Sequence, residues 1–225
     1  GAEYQGRKVG TLAKMTVFSF HPVKHITTGE GGMIVTQDAA SAEFMRRFRN
    51  HGIRSDHHQR AQQGTWYYEM VDLGYNYRIT DLQCALGLSQ LRKLPGWLER
   101  RRAIAEYYDA AFNDFEGVQP LRKSPSVRSA YHLYVLRLRH PSLIAKRPEI
   151  FAELRADGIG VNVHYSPVYL HPYYRQRFGF KRGLCPRAEE AYEQILSLPI
   201  FPGLSDAEIE RVAERTQSVL TRFLS

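Results

Sequence analysis

Lys24 is the residue of this chain best placed to do chemistry. It lies in Phe18-Ser19-Phe20-His21-Pro22-Val23-Lys24-His25-Ile26-Thr27-Thr28-Gly29-Glu30-Gly31-Gly32, between an apolar strand-like segment (Met15 to Phe20) and a glycine cluster that must turn tightly. A lysine attacks a carbonyl only as the neutral amine, and burial lowers an amine's pKa. A lysine that forms a Schiff base therefore needs such surroundings, and a surface lysine does not. Ser19 and Thr27 or Thr28 add hydroxyls able to hold a phosphate, while Gly29, Gly31 and Gly32 let backbone N–H groups approach a ligand. On this reading the stretch is a pyridoxal phosphate (PLP) site with its covalent lysine. The plainer reading is a strand, a loop and a hairpin with an exposed lysine. Residue chemistry alone favours the plainer one, because lysines in glycine-rich loops are common.

Other polar residues carry weaker signals. His21 could touch a substrate or simply order the loop. His51, His57 and His58 lie close together but lack the regular spacing and further ligands of a metal site, so no metal is expected. His164 and Tyr165 stand at the end of a predicted strand, beside Ser166-Pro167. Asn76, between Tyr75 and Tyr77, suits a turn because asparagine tolerates left-handed backbone. Neither Cys84, within a helical apolar pattern, nor Cys185, before Pro186, suggests a disulfide framework, which favours the cytoplasm.

The segment from Ser19 to Gly32 resembles the lysine segment of the DegT-type sugar aminotransferases, PLP enzymes of fold type I that aminate nucleotide-linked keto sugars. The resemblance continues in Leu73-Gly74-Tyr75-Asn76-Tyr77-Arg78-Ile79-Thr80-Asp81-Leu82-Gln83, in Gly160-Val161-Asn162-Val163-His164-Tyr165 and in Ser197-Leu198-Pro199-Ile200-Phe201-Pro202. Order and spacing agree along essentially the whole chain. Within the family, His21-Pro22-Val23-Lys24, Ala85 to Leu91 and His164 to Tyr169 are most similar to the 4-aminotransferases of pseudaminic acid biosynthesis.

The resemblance implies an α/β fold: the C-terminal part of the large domain of a fold-type I aminotransferase (residues 1–111), then a small α+β domain (112–225). It implies Lys24 as covalent anchor and proton carrier in a ping-pong transfer from glutamate to C4 of a UDP-linked 4-keto-6-deoxy sugar. Ser19 and Asn76 would hold the cofactor, with Asn76 reaching the PLP phosphate of a neighbouring subunit, so that a homodimer shares its active sites. Arg78 is a weaker second contact. His21, Asn162, Val163, His164 and Tyr165 would contact substrate. The alternatives are another nucleotide-sugar 3- or 4-aminotransferase, a dehydratase (which in this family replaces the lysine by histidine), or an inactive assembly module. The family also carries, before the segment that resembles Gly1 to Gly10, a phosphate-gripping loop, a ring-stacking residue and an aspartate for the pyridinium nitrogen. The chain is therefore expected to be a fragment that binds PLP weakly and self-associates.

These residues need elements to position them. Strands are expected at Val17 to Phe20, Met33 to Thr36, Tyr131 to Leu138 and Val161 to Tyr165. Helices are expected at Ala39 to Arg49, stopped by Asn50-His51-Gly52, and from Thr80, whose Gln83 completes a capping box and whose apolar positions are Leu82, Ala85, Leu86 and Leu88. A separate helix follows at Trp97 to Phe112, then helices at Pro148 to Ala156, at Pro186 to Leu196, and from Ser205 and Glu208 to about Phe223. Arg54 to Thr65 is polar and aperiodic and reads as a loop.

The formal charge of +8 invites a nucleic-acid reading. The densest basic run, Arg100-Arg101-Arg102, lies beside Glu99 and Glu106 on a helix, which suits a solvated face, and no nucleic-acid-binding motif is present. A positive field also suits an anionic sugar nucleotide. The apolar runs are too short to cross a bilayer.

Overall fold

The computed structural model describes residues 1–224. It divides into two compact units, Gly1–Pro95 with Ser126–Arg128, and Gly96–Pro125 with Ser129 onward.

The first unit holds two small antiparallel sheets. β1 (Glu3–Tyr4) lies between β2 (Arg7–Lys8) and β6 (Val127–Arg128). β3 (Met15–Ser19) pairs with β4 (Gly32–Thr36), in register from Met15 opposite Thr36 to Ser19 opposite Gly32. After β4 the Asp38 carboxylate accepts from the Ser41 N–H and starts α1 (Ala39–Phe48). That helix reverses through positive φ at His51 and Gly52, where the Asn50-His51-Gly52 stop signal stands. The segment read as a loop contains a short helix, α2 (His57–Gln62). Asp56 and Gln59 form a complete capping box there, a local signal that offsets the missing apolar period.

α3 (Asp81–Phe112) replaces the two helices expected on either side of Pro95. Proline removes one backbone donor and breaks many helices. Here the C-terminal half is held by burial of Leu98, Ile104, Ala105, Tyr108 and Phe112, so the helix runs through. The unit division falls at Pro95–Gly96, because that buried half belongs to the second unit's core.

The second unit is an antiparallel sheet in the order β5 (Val118–Pro120), β7 (Tyr134–Leu138), β8 (Ile195–Leu198), with α4 (Pro141–Ala145), α5 (Arg147–Ala156), α6 (Pro172–Phe178), α7 (Pro186–Gln194) and α8 (Asp206–Arg222). β7 alternates strictly, burying Tyr134, Leu136 and Leu138 in one core with Ile150 and Leu154 of α5 and Val212, Val219 and Leu220 of α8. Its start is later than expected, because Tyr131 takes positive φ (46°) and cannot join a ladder. α7 stops at Gln194 and the chain straightens into β8, since Leu196 and Leu198 are claimed by the sheet core. Val161 to Tyr165 makes one bridge, Asn162 with Ser197, rather than a strand. No helix among the described residues is long and apolar enough to cross a membrane.

Candidate active site

The loop that carries Lys24 is closed on itself. The Phe20 N–H donates to the Gly31 carbonyl (2.9 Å), and the Phe20 carbonyl accepts from the Thr28 N–H (3.1 Å). The Thr27 hydroxyl donates to that same carbonyl at 2.8 Å. Inside the loop the Lys24 N–H bonds the His21 carbonyl at 2.9 Å, a tight turn that lets the proline and Val23 face outward. Lys24 is half-buried, and no carboxylate of the described residues lies within ion-pair reach of its amine. Ser19 ends β3 with an exposed side chain whose oxygen accepts from the His21 N–H (3.4 Å). The His21 ring sits 3.8 Å from the Glu30 carboxylate. An amine free of a carboxylate, on a hydrogen-bonded loop with a hydroxyl at its root, is a donor set that fits PLP.

A second tier of contacts comes from α3. The Gln90 side-chain oxygen accepts from the Thr27 N–H (2.8 Å), and the Gln83 amide nitrogen donates to the Glu30 carbonyl (2.9 Å). Gln83 also completes the capping box, its oxygen accepting from the Thr80 N–H and hydroxyl, both at 3.0 Å. Between the two glutamines stands Gly87, where an added Cβ would come within 2.9 Å of Thr28 Cγ2. The face of α3 that meets the loop is thus Gln83, Cys84, Gly87 and Gln90, all half-buried. The apolar positions of this helical stretch, Leu82, Ala85, Leu86 and Leu88, are exposed, Leu82 at 86%. Polar tethers took the inner face. Neither glutamine tether was read from the sequence, although polar or small residues recur at positions 83, 87 and 90 between leucines, which is one helical face.

Asn76 lies in the same unit on a different segment. Residues 75 to 77 run along the end of α1, with the Tyr75 N–H on Phe48 (2.7 Å), the His51 N–H on Tyr75 (2.8 Å) and the Tyr77 N–H on Arg49 (2.9 Å). The Asn76 side chain is exposed, and Arg78 donates to the Asn50 side-chain oxygen at 2.8 Å. Ile79 then lies against Gly31, where an added Cβ would meet its Cδ1 at 3.3 Å. The segment of Asn76 therefore abuts the base of the Lys24 loop.

Asn162, Val163, His164 and Tyr165 belong to the second unit. Asn162 exchanges both backbone hydrogen bonds with Ser197 (3.1 and 2.7 Å), and its side-chain oxygen accepts from the Val163 N–H (2.8 Å). His164 Nδ1 is 2.9 Å from the Ser197 hydroxyl, and burial holds the imidazole below its ordinary pKa. Tyr165 is 70% exposed, its ring edge-on to His164 at 4.7 Å. β8 thus ties together two of the segments that carry the family resemblance.

The sequence pattern of the DegT/DnrJ/EryC1/StrS aminotransferase family matches residues 1–217. The chain belongs to this family. Among its relatives, the UDP-4-amino-4,6-dideoxy-N-acetyl-beta-L-altrosamine transaminase of Campylobacter jejuni is 36% identical over 222 residues, 99% of this chain and 56% of that protein. Helicobacter pylori PseC, an aminotransferase of pseudaminic acid biosynthesis, superposes with a TM-score of 0.89 at 35% identity, covering 99% of this chain and 57% of PseC. The PMP form of Streptococcus pneumoniae Spr1654 gives 0.90 at 34% identity, covering 100% and 57%. This member of the DegT/DnrJ/EryC1/StrS family therefore has the fold of the sugar aminotransferases, and it spans little more than half the length of the curated relatives it matches.

Proposed function

We propose that this chain supplies the lysine-bearing part of a PLP-dependent nucleotide-sugar aminotransferase. It would move an amino group from glutamate to C4 of a UDP-linked 4-keto-6-deoxy sugar. The observation that carries this is the closed loop 20–31, which carries a half-buried Lys24 with no carboxylate partner among the described residues. The likeness to a C. jejuni transaminase and to PseC supports the substrate class, and the PLP and PMP forms of Spr1654 support the cofactor. In this proposal residues 1–111 end the cofactor-binding domain and 112–225 form the small one, the boundary falling at the end of α3.

When bound, PLP supplies an electron sink for the carbon that gains or loses a proton. The Lys24 Nζ would hold the cofactor and would carry that proton, which requires a neutral amine. The Ser19 hydroxyl is a phosphate donor at the end of β3. Asn76 and Arg78, exposed at the loop base, are assigned to the phosphate of a second subunit. A homodimer is supported by the exposed Leu82, Leu86, Leu88 and Leu91 of α3, apolar side chains left in water on two sides of the helix. His164, neutral through burial, and the exposed Tyr165 suit uncharged contacts with the sugar.

The test is reduction of the PLP-loaded full-length enzyme with borohydride, followed by peptide mass spectrometry and an assay of glutamate-dependent amination of a UDP-linked 4-keto sugar. The adduct is expected on Lys24, and Lys24→Ala is expected to lose both adduct and turnover while keeping its fold. Undiminished turnover by Lys24→Ala would overturn the assignment.

A further inference from the structure

Loop 20–31 closes through its own backbone, but that closure does not fix where the loop stands. Two side chains outside it help to do so, and both come from one face of α3. Gln83 and Gln90 are seven residues apart, two turns, so they project from the same side of the helix. Gly87 lies midway and brings Thr28, the one buried threonine of the first unit, against the helix surface.

We propose that Gln83 and Gln90 are positioning residues for amino transfer, clamping the limb of the loop that follows Lys24, at Thr27 and Glu30, so that the reach of its amine is set by α3. The inference rests on the reading of Lys24 as the reacting lysine. Neither glutamine touches the reacting atoms; each acts through the loop backbone.

The two clamps have opposite polarity, and this makes the proposal testable. Gln90 offers an oxygen to an N–H, so a glutamate in its place keeps the acceptor. Gln83 offers an N–H to a carbonyl, because its oxygen is already taken by Thr80. A glutamate at position 83 keeps the cap and sets a carboxylate oxygen against the Glu30 carbonyl. The same substitution should therefore be tolerated at one site and damaging at the other.

The experiment uses the full-length enzyme and two readouts. Hydrogen exchange of the protein without added cofactor reports the loop directly. Loop amides 24–31 are expected to exchange roughly threefold to tenfold faster in Gln90→Leu and Gln83→Glu, the scale of one net hydrogen bond, and at the parent rate in Gln90→Glu. Turnover should fall by roughly tenfold to a hundredfold in the first two variants, the cost of misplacing a reacting group by about an ångström, with KM for glutamate nearly unchanged. Gln90→Glu should retain most of the parent kcat. Parent kcat in Gln90→Leu, or equal loss in Gln90→Leu and Gln90→Glu, overturns the clamp, as does loop exchange that no variant changes. A Lys24→Ala enzyme that still turns over overturns the functional reading instead. Because the exchange experiment needs no activity, the two failures are separable.

Discussion

At the scale of single residues, Lys24 and His164 depend on different kinds of partner. Lys24 gains its setting from backbone closure of its loop, whereas His164 owes its setting to β8, through the hydroxyl of Ser197. Burial lowers the His164 pKa below 6.5, so over the interval beneath that value the unfolded chain binds the proton and the folded chain does not. Stability rises with pH wherever the unfolded state binds more protons. The His164 contribution is thus complete above its unfolded pKa and is lost as pH falls through that interval. His164→Gln, which keeps an oxygen or nitrogen for Ser197 but does not titrate, should show a shallower loss of Tm on acidification from neutral pH. Thermal melts of parent and variant across that range make the comparison, and superimposable pH profiles would refute it.

Elements whose signals are local were legible in the sequence, and those decided by tertiary context were not. Thr80 with Gln83 and Ser205 with Glu208 are both capping boxes in the structure, because a cap needs only four residues to declare itself. Lys24, His21 and Ser19 could be grouped for the same reason, since they stand within six residues at the end of β3 and in the loop that follows. β1, β2 and β6 are two residues each, too short for any period to show. The unbroken α3 was hidden by Pro95, and its inner face by leucines that point outward. Arg101 shows what that helix must satisfy in the second unit. Read as part of a solvated basic face, it is 5% exposed and donates through Nη1 to the carbonyls of Tyr131 (3.0 Å) and Ile200 (2.9 Å), while its Nε has no hydrogen-bond partner. Those bonds hold the turn at Tyr131, where the backbone has positive φ, to the helix. Desolvation lowers the arginine's pKa, so the ion stands there at a cost that offsets part of the gain. Arg101→Met should accordingly destabilise by about 1–3 kcal/mol, the loss of hydrogen bonds to a charged donor less the relief of burying it. A lower urea midpoint with an unchanged m-value is the expected result, and an unchanged or higher midpoint would show that the guanidinium does not hold the turn.

At the scale of the molecule the two units are built differently. Every buried hydrophobic side chain among the described residues, from Leu98 to Leu220, belongs to the second unit. The first unit keeps its form through hydrogen bonds and caps, with Val17 73%, Met33 53% and Ile34 48% exposed on β3 and β4, and Leu73 and Leu82 at 80% and 86%. Apolar strands and helix faces without cover are sites of association, and amides without a core above them open at low free energy. The 225-residue chain by itself should therefore self-associate, bind a hydrophobic dye, retain PLP weakly and show negligible amino transfer. Hydrogen exchange should divide it sharply. β7, β8 and α8 should protect their amides to near the global unfolding free energy, while β3, β4 and α1 exchange orders of magnitude faster. In a full-length dimer the proposed cover over β3, β4 and the leucines of α3 should slow exchange in those elements and leave β7 and β8 unchanged. A monomeric 225-residue chain whose β3 and β4 amides were as protected as those of β7 and β8 would show that the first unit stands without a partner, and would remove the packing argument for the dimer.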